Sequence, residues 1–161
     1  MKKFSVEIKW SIIFSVIAVL WIVFEKMAGF HDEKISSYFF ICLPFGLVYA
    51  ILYTLALKEK KTRFYNGTIT YKQAFISGAI LTLLIGAFSP LVQLIFHESI
   101  SPDFFKNAIA NAAKSKPENS AFATGYFNLQ SFITQGIFNI LSIGVLTAAI
   151  VAYFTQTKNT K

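Results

Sequence analysis

Along the chain, long uncharged apolar stretches alternate with short polar seams, and the lengths of the stretches set the expected fold. Ser37 to Leu57 contains no charged residue, and neither does Gln73 to Phe96. At 1.5 Å per residue, each is long enough to cross a hydrocarbon core of about 30 Å as a helix. A third uncharged run, Asn119 to Thr157, exceeds one crossing, so its helix begins inside it, near Asn128 after the Gly125 break. The first run, Trp10 to Phe24, has fifteen residues, or about 22 Å of helix. Glu7 and Lys9 at one end, and Glu25 and Lys26 at the other, bring it to length if they sit at the headgroups with the lysines snorkelling outward. The pattern predicts an all-α integral membrane protein: a single domain over 1–161, with four transmembrane helices at about 5–29, 36–58, 71–96 and 126–155 in an up-down bundle.

The seams carry their own signals. In "RFYNGTITYKQAF", residues 63 to 75, Asn66-Gly67 lies between short β-favouring flanks and predicts a hairpin turn. Thr70 followed by Gln73 is a capping box, which starts the third helix near Tyr71. "ISPDFFKNAIANAAKSKP" predicts a short amphipathic helix over about 101–115 in the outer loop between helices three and four. Ser101 is its cap, Pro102 its first turn, and Asp103 complements the helix dipole. Phe105, Ala108, Ile109 and Ala112 form its apolar face, suited to the interface or to capping the bundle. In "FEKMAGFHDEK", Gly29 ends the first helix, and His31 to Lys34 read as a solvated turn. Glu25, sixteen residues beyond Lys9 and so about 24 Å along the helix, is then an interfacial acid. Pro44 with Gly46, and Pro90 after Gly86, should kink helices two and three unless neighbours satisfy the freed carbonyls.

Composition agrees with a lipid environment: 55% apolar, 17% aromatic and 14% charged residues, against roughly 25% charged in an average soluble domain. The charge also orients the bundle. Ten basic residues (Lys2, Lys3, Lys9, Lys58, Lys60, Lys61, Arg63, Lys72, Lys158, Lys161) fall on the side of the termini, and five (Lys26, Lys34, Lys106, Lys114, Lys116) on the other. The positive-inside rule places both termini and the middle loop in the cytoplasm. Six of the eight acids (Glu25, Asp32, Glu33, Glu98, Asp103, Glu118) lie outside. The net charge of +7 is thus a topology signal and excludes a nucleic-acid partner, which would need an Arg-rich patch outside the membrane. Lys2 and Lys3 before an apolar core resemble a secretory signal, but no A-x-A site precedes Ala28-Gly29, so the first helix reads as uncleaved. Cys42 is the sole cysteine, which excludes an intrachain disulfide and metal-binding cysteine spacing. The sequon at Asn66 to Thr68 faces the cytoplasm and is expected to be unmodified.

Within the bilayer, Asn128, Ser131, Gln135, Asn139 and Ser142 form a polar stripe on one face of helix four. Amides facing lipid leave donors unpaired, so this face points into protein or water. It serves either as interhelical glue or, with Gln93, as the lining of a polar cavity; its lack of charge favours glue. Gly78, Thr82 and Gly86 make a small-residue ridge on helix three, and Gly136, Gly144, Ala148 and Ala152 nearly do so on helix four. Such ridges let helices three and four pack closely, or form a dimer. His31, Asp32, His97 and Glu98 are weak metal or pH-sensing candidates on the outer face. Adjacent His-acid pairs do not easily ligate one ion and no i, i+3 or i, i+4 ligand pair exists, so a structural role outweighs a metal site. The shared "FHDEKIS" and "FHESIS" are too short to establish a duplication.

A first helix ending in an acid followed by "GFH" and another acid, the loop "YNGTITYKQAFISG" opening the third helix, and "SP" with "PDF" before a polar outer segment carry a family resemblance. With four crossings in 161 residues, the chain resembles the domain-of-unknown-function family 4199, small membrane proteins found mainly in Bacteroidota. The resemblance implies a bacterial inner-membrane location and brings no activity or catalytic residues. No nucleophile stands with a base, and no glycine-rich phosphate loop is present, so no enzyme and no cofactor is expected. The expected role is a scaffold, accessory subunit or small homo-oligomer, partnered by the lipid bilayer and by a second copy or a membrane complex. The alternative is an oligomeric transporter or lipid-handling protein that uses the helix-four stripe and Glu25.

Overall fold

Hydrocarbon offers no hydrogen bonds to an open backbone, so the apolar runs close their amides internally as helices. In the computed structural model, which describes residues 3–115 and 119–157, these are α1 (Ser5–Met27), α2 (Tyr38–Cys42), α3 (Phe45–Arg63), α4 (Tyr71–Leu94) and α7 (Leu129–Thr155). A 3₁₀ turn (Ile35–Ser37) leads into α2, and a π-helical turn (Ile95–Ile100) extends α4. Between α4 and α7 lie α5 (Phe104–Ser115) and α6 (Asn119–Tyr126). Four spans, Ser5–Met27, Ile35–Arg63, Tyr71–Ile100 and Leu129–Thr155, are long and apolar enough to cross a membrane. The protein is an all-α, four-span membrane bundle. Lys2, Lys116, Glu118, Lys158 and Lys161, used above in the charge count, lie outside the described residues.

The ends of the helices follow from local chemistry. Gly29, at φ 84°, takes the left-handed position after α1; its N–H bonds the Lys26 carbonyl at 2.9 Å while the Phe30 N–H bonds that of Glu25 at 3.0 Å. This is a Schellman end. Thr70 Oγ1 accepts from the Gln73 N–H (3.3 Å) and Gln73 Oε1 from the Thr70 N–H (2.9 Å), closing the capping box. Proline acts differently in the two places it was expected to kink. At Pro44 the second span breaks, α2 ending at Cys42 and α3 restarting at Phe45. At Pro90 the helix continues, because Ser89 Oγ donates at 3.0 Å to the Gly86 carbonyl that the missing proline N–H leaves free.

Two local expectations are corrected. Asn66 (φ 50°) and Gly67 (φ 87°) do form a turn, but no strand flanks it among the described residues. The end of α3 and the start of α4 consume the flanks. What remains extended pairs with the tail: Thr157 N–H donates to the Ile69 carbonyl at 2.8 Å, and Ile69 N–H to Thr157 Oγ1 at 3.0 Å. Ser101 likewise does not cap α5, which begins at Phe104. Its N–H bonds the Phe96 carbonyl at 2.7 Å, so Ser101 closes the preceding π-turn and is buried.

The spans alternate in direction, but sequence neighbours are not all spatial neighbours. The most extensive contact joins α4 to α7; α1 packs on α4 and α3, and α3 on α7. The order around the bundle is α1, α3, α7, α4. The α4–α7 seam is close because glycines stand where side chains would collide. A Cβ on Gly78 would lie 2.6 Å from Ala148 Cβ, and one on Gly144 would lie 2.5 Å from Thr82 Cγ2. Gly86 faces Leu141 and Ile140 at ordinary contact distance. Tyr53, Leu57, Leu81, Ile85 and Ala148 fill the core beside this seam, and the Tyr53 hydroxyl meets Thr82 Oγ1 at 2.8 Å.

Candidate functional site

At the end of the bundle opposite the termini, the polar seam is folded inward. Glu25, near the end of α1, is only 3% exposed. Trp21, one helical turn earlier, donates its indole N–H to Glu25 Oε1 at 2.7 Å. The reversal at Gly29 returns the chain so that His31 Nε2 stands 3.4 Å from Oε2, and Cys42 Sγ lies 3.9 Å from Oε1. The solvated turn expected over His31 to Lys34 is therefore corrected at its first residue. His31 is fully buried, while Asp32, Glu33 and Lys34 remain exposed. The reason is long-range: α5 folds over the turn, Asn107 Nδ2 donating to the His31 carbonyl (3.1 Å) and to Asp32 Oδ1 (2.8 Å). The His31 ring lies 5.3 Å from Phe104 and 5.0 Å from Phe96.

His97 is also buried, stacked on Phe105 at 3.9 Å and edge-on to Phe132 at 5.4 Å. Glu98, its neighbour, is exposed. The two histidines thus turn inward around Phe96 and Phe104 while Asp32 and Glu98 turn outward, and the four do not converge. Among the described residues, no group of three His, Cys, Asp or Glu side chains is placed to hold a metal ion.

Beside Glu25 the four spans part around a cavity of about 460 Å³. Phe14, Trp21, Phe45, Tyr49, Phe96 and Phe132 give it aromatic walls; Glu25, Gln93 and Asn139 are among its polar lining. Gln93 Oε1 is buried without a hydrogen-bond partner. Gly136 makes room for that amide, since a Cβ there would lie 3.3 Å from Gln93 Nε2. Four of the lining residues, Leu43 and Gly46 of the second span and Asn139 and Ile143 of α7, are exposed. They mark a mouth between these two helices, at the bundle's side.

The polar stripe of α7 divides. Asn128 is the N-cap of α7, its Oδ1 accepting from the Ser131 N–H at 2.9 Å, and Ser131 Oγ donates to the Gly125 carbonyl at 3.2 Å. Gln135 is half-buried, whereas Asn139 and Ser142 are exposed. Among the described residues none of these last three hydrogen-bonds another helix. Asn139, with Gln93 across from it on α4, borders the cavity instead.

At the other end, sequence reasoning missed a buried ion pair. Lys60 Nζ lies 2.8 Å from Glu7 Oε1 and donates to the Lys3 carbonyl at 2.5 Å. Ser77 Oγ donates to Glu7 Oε1 at 2.7 Å, so the pair joins α1, α3 and α4. Glu7 and Lys60 are 2% and 3% exposed, and Lys60 lies within α3, not in the loop after it. The one available signal is that an acid on the first span and a base on the second stand at matching depth. Nearby, Glu59 pairs with Lys9 and accepts from Trp10 Nε1 at 2.8 Å.

The chain matches the model of a family described as a protein of unknown function, DUF4199, over residues 9–157, and it belongs to that family. Neither a curated protein nor a solved structure matches it.

Proposed function

We propose that this member of the DUF4199 family is a non-enzymatic, multi-pass binding protein of the bacterial inner membrane, its termini cytoplasmic, that takes a membrane-dissolved amphiphile into the cavity between its spans. The observation that carries this reading is the cavity itself: about 460 Å³, aromatic-walled, holding a buried carboxylate and an unpartnered amide oxygen. Its volume falls in the range of small-molecule sites, roughly 300–1,000 Å³. The exposed residues at its mouth belong to membrane spans, so the route in is from lipid. Gly46 supplies the test, because a Cβ there meets nothing within 4 Å. Gly46→Phe should fill the mouth without disturbing the backbone. Mass spectrometry after gentle purification should find a lipid or small molecule retained by the parent and lost from the folded variant; equal retention, or none in either, would sink the reading.

A homo-oligomer is a second reading, favoured by one observation. Asn139 and Ser142 are exposed on α7 beside Phe138, Ile143 and Leu146, and polar groups facing lipid gain by being covered. Replacing both by Leu should shift native mass spectra toward the monomer; an unchanged distribution removes α7 from the interface.

A further inference from the structure

We infer that the ligand of this cavity presents a primary ammonium to Glu25 and Gln93, with its apolar body passing out between α3 and α7. The inference rests on the cavity's being a binding site and concerns what chemistry it selects. The one lining atom that is buried without a partner, among the described residues, is an acceptor, the Gln93 amide oxygen. Glu25 has two carboxylate oxygens with about four acceptor positions, and its close donor is Trp21, at 2.7 Å. His31 stands further off, at 3.4 Å. Gln93 Oε1 is buried and takes no donor. A ligand that brought only acceptors would leave Gln93 Oε1 and the open positions on the carboxylate unpaired.

Charge narrows the class. A carboxylate withdrawn from water requires a cation or dense hydrogen bonding. The lysines nearest in sequence are committed elsewhere: Lys26 donates to the Ile100 carbonyl, and Lys34 to that of Ala28 at 3.1 Å. Aromatic rings around the acid add cation–π attraction for an ammonium. An anionic ligand meets the opposite field, and a quaternary ammonium has the charge without the N–H donors that Gln93 Oε1 needs. Two sources share this chemistry: the ethanolamine headgroup of a bilayer lipid, and a free lipophilic amine.

The test uses the full chain in phosphatidylcholine nanodiscs. Trp10→Phe removes the distant indole, leaving Trp21, which touches Glu25, as the fluorescent reporter. Dodecylammonium, dodecyltrimethylammonium and dodecanol are titrated in turn. Saturable binding of dodecylammonium at least tenfold tighter than of the other two is expected. Glu25→Gln should erase that preference, and Gln93→Leu should reduce it several-fold. If Glu25→Gln fails to fold, the ratio in the parent and in Gln93→Leu decides. Equal affinity for dodecanol or for the quaternary amine overturns the ammonium inference and leaves the cavity reading standing; no saturable binding of any probe overturns both. Repeating the titration in phosphatidylethanolamine nanodiscs identifies the source: competition there points to the lipid headgroup, and unchanged affinity to a free amine.

Discussion

Lys60 illustrates how a residue's role is fixed by partners far along the chain. By itself it is one of a run of basic residues at a helix end; in the fold it neutralises Glu7 inside the bundle. Removing one member of such a pair leaves an uncompensated buried charge, at about 3–5 kcal/mol. Lys60→Met should therefore lower stability by that order in thermal unfolding in detergent. Glu7→Gln combined with Lys60→Met should recover most of the loss; a double variant as unstable as the single would show that the charge is not what is left behind. Beyond the matching depth of an acid and a base on the first two spans, nothing in the sequence marks this pair, because nothing local couples residues 53 positions apart. The same holds for His31, whose charged neighbours Asp32, Glu33 and Lys34 advertise solvent and do face it. Its burial comes from Phe104 and Asn107 of α5. Gln93 and Asn139 stand out as polar positions in apolar runs, whereas Trp21 and Cys42, equally part of the cavity wall, have no such mark.

At the level of elements, signals whose partners lie within a turn are legible, and signals that need a second element are not. The capping box is visible in sequence because Thr70 and Gln73 are three apart. Thr70→Ala should cost about 1 kcal/mol, measured as a lowered unfolding midpoint; no change would mean that solvent replaces the cap. Asn66-Gly67 encodes its positive φ angles correctly, yet whether strands or helices continue from a turn is decided by what those flanks pack against. The α4–α7 seam gives a sharper test. Gly78→Ala drives a methyl into Ala148, and overpacking costs typically about 1–3 kcal/mol. Ala148→Gly in the same chain should restore most of it. Failure of that rescue would mean the two helices already separate enough to admit the methyl.

For the whole molecule, the spans are legible from apolar length alone, since a bilayer sets one dimension that every crossing must meet. The order of the spans around the bundle is not, because it depends on which faces fit, and the seams that decide it lie between spans distant in sequence. The pairings of Thr157 with Ile69, and of Lys61 Nζ with the Thr155 carbonyl (2.9 Å), hold the tail to the middle loop. Reporters fused after Lys161 and inserted at Gly67 should accordingly report the same side of the membrane; a split result would invert half of the bundle.

The buried Glu7–Lys60 pair links the first span to the second, while the glycine seam links the third to the fourth. Each successive hairpin carries its own adhesive. During biosynthesis the first can enter the bilayer as an electrically balanced unit before the second exists, and Ser77 then satisfies the waiting carboxylate when the later half arrives. A chain cut at the Asn66–Gly67 turn and expressed as two fragments should reassemble in the membrane, joining halves that each already hold their own pair of spans.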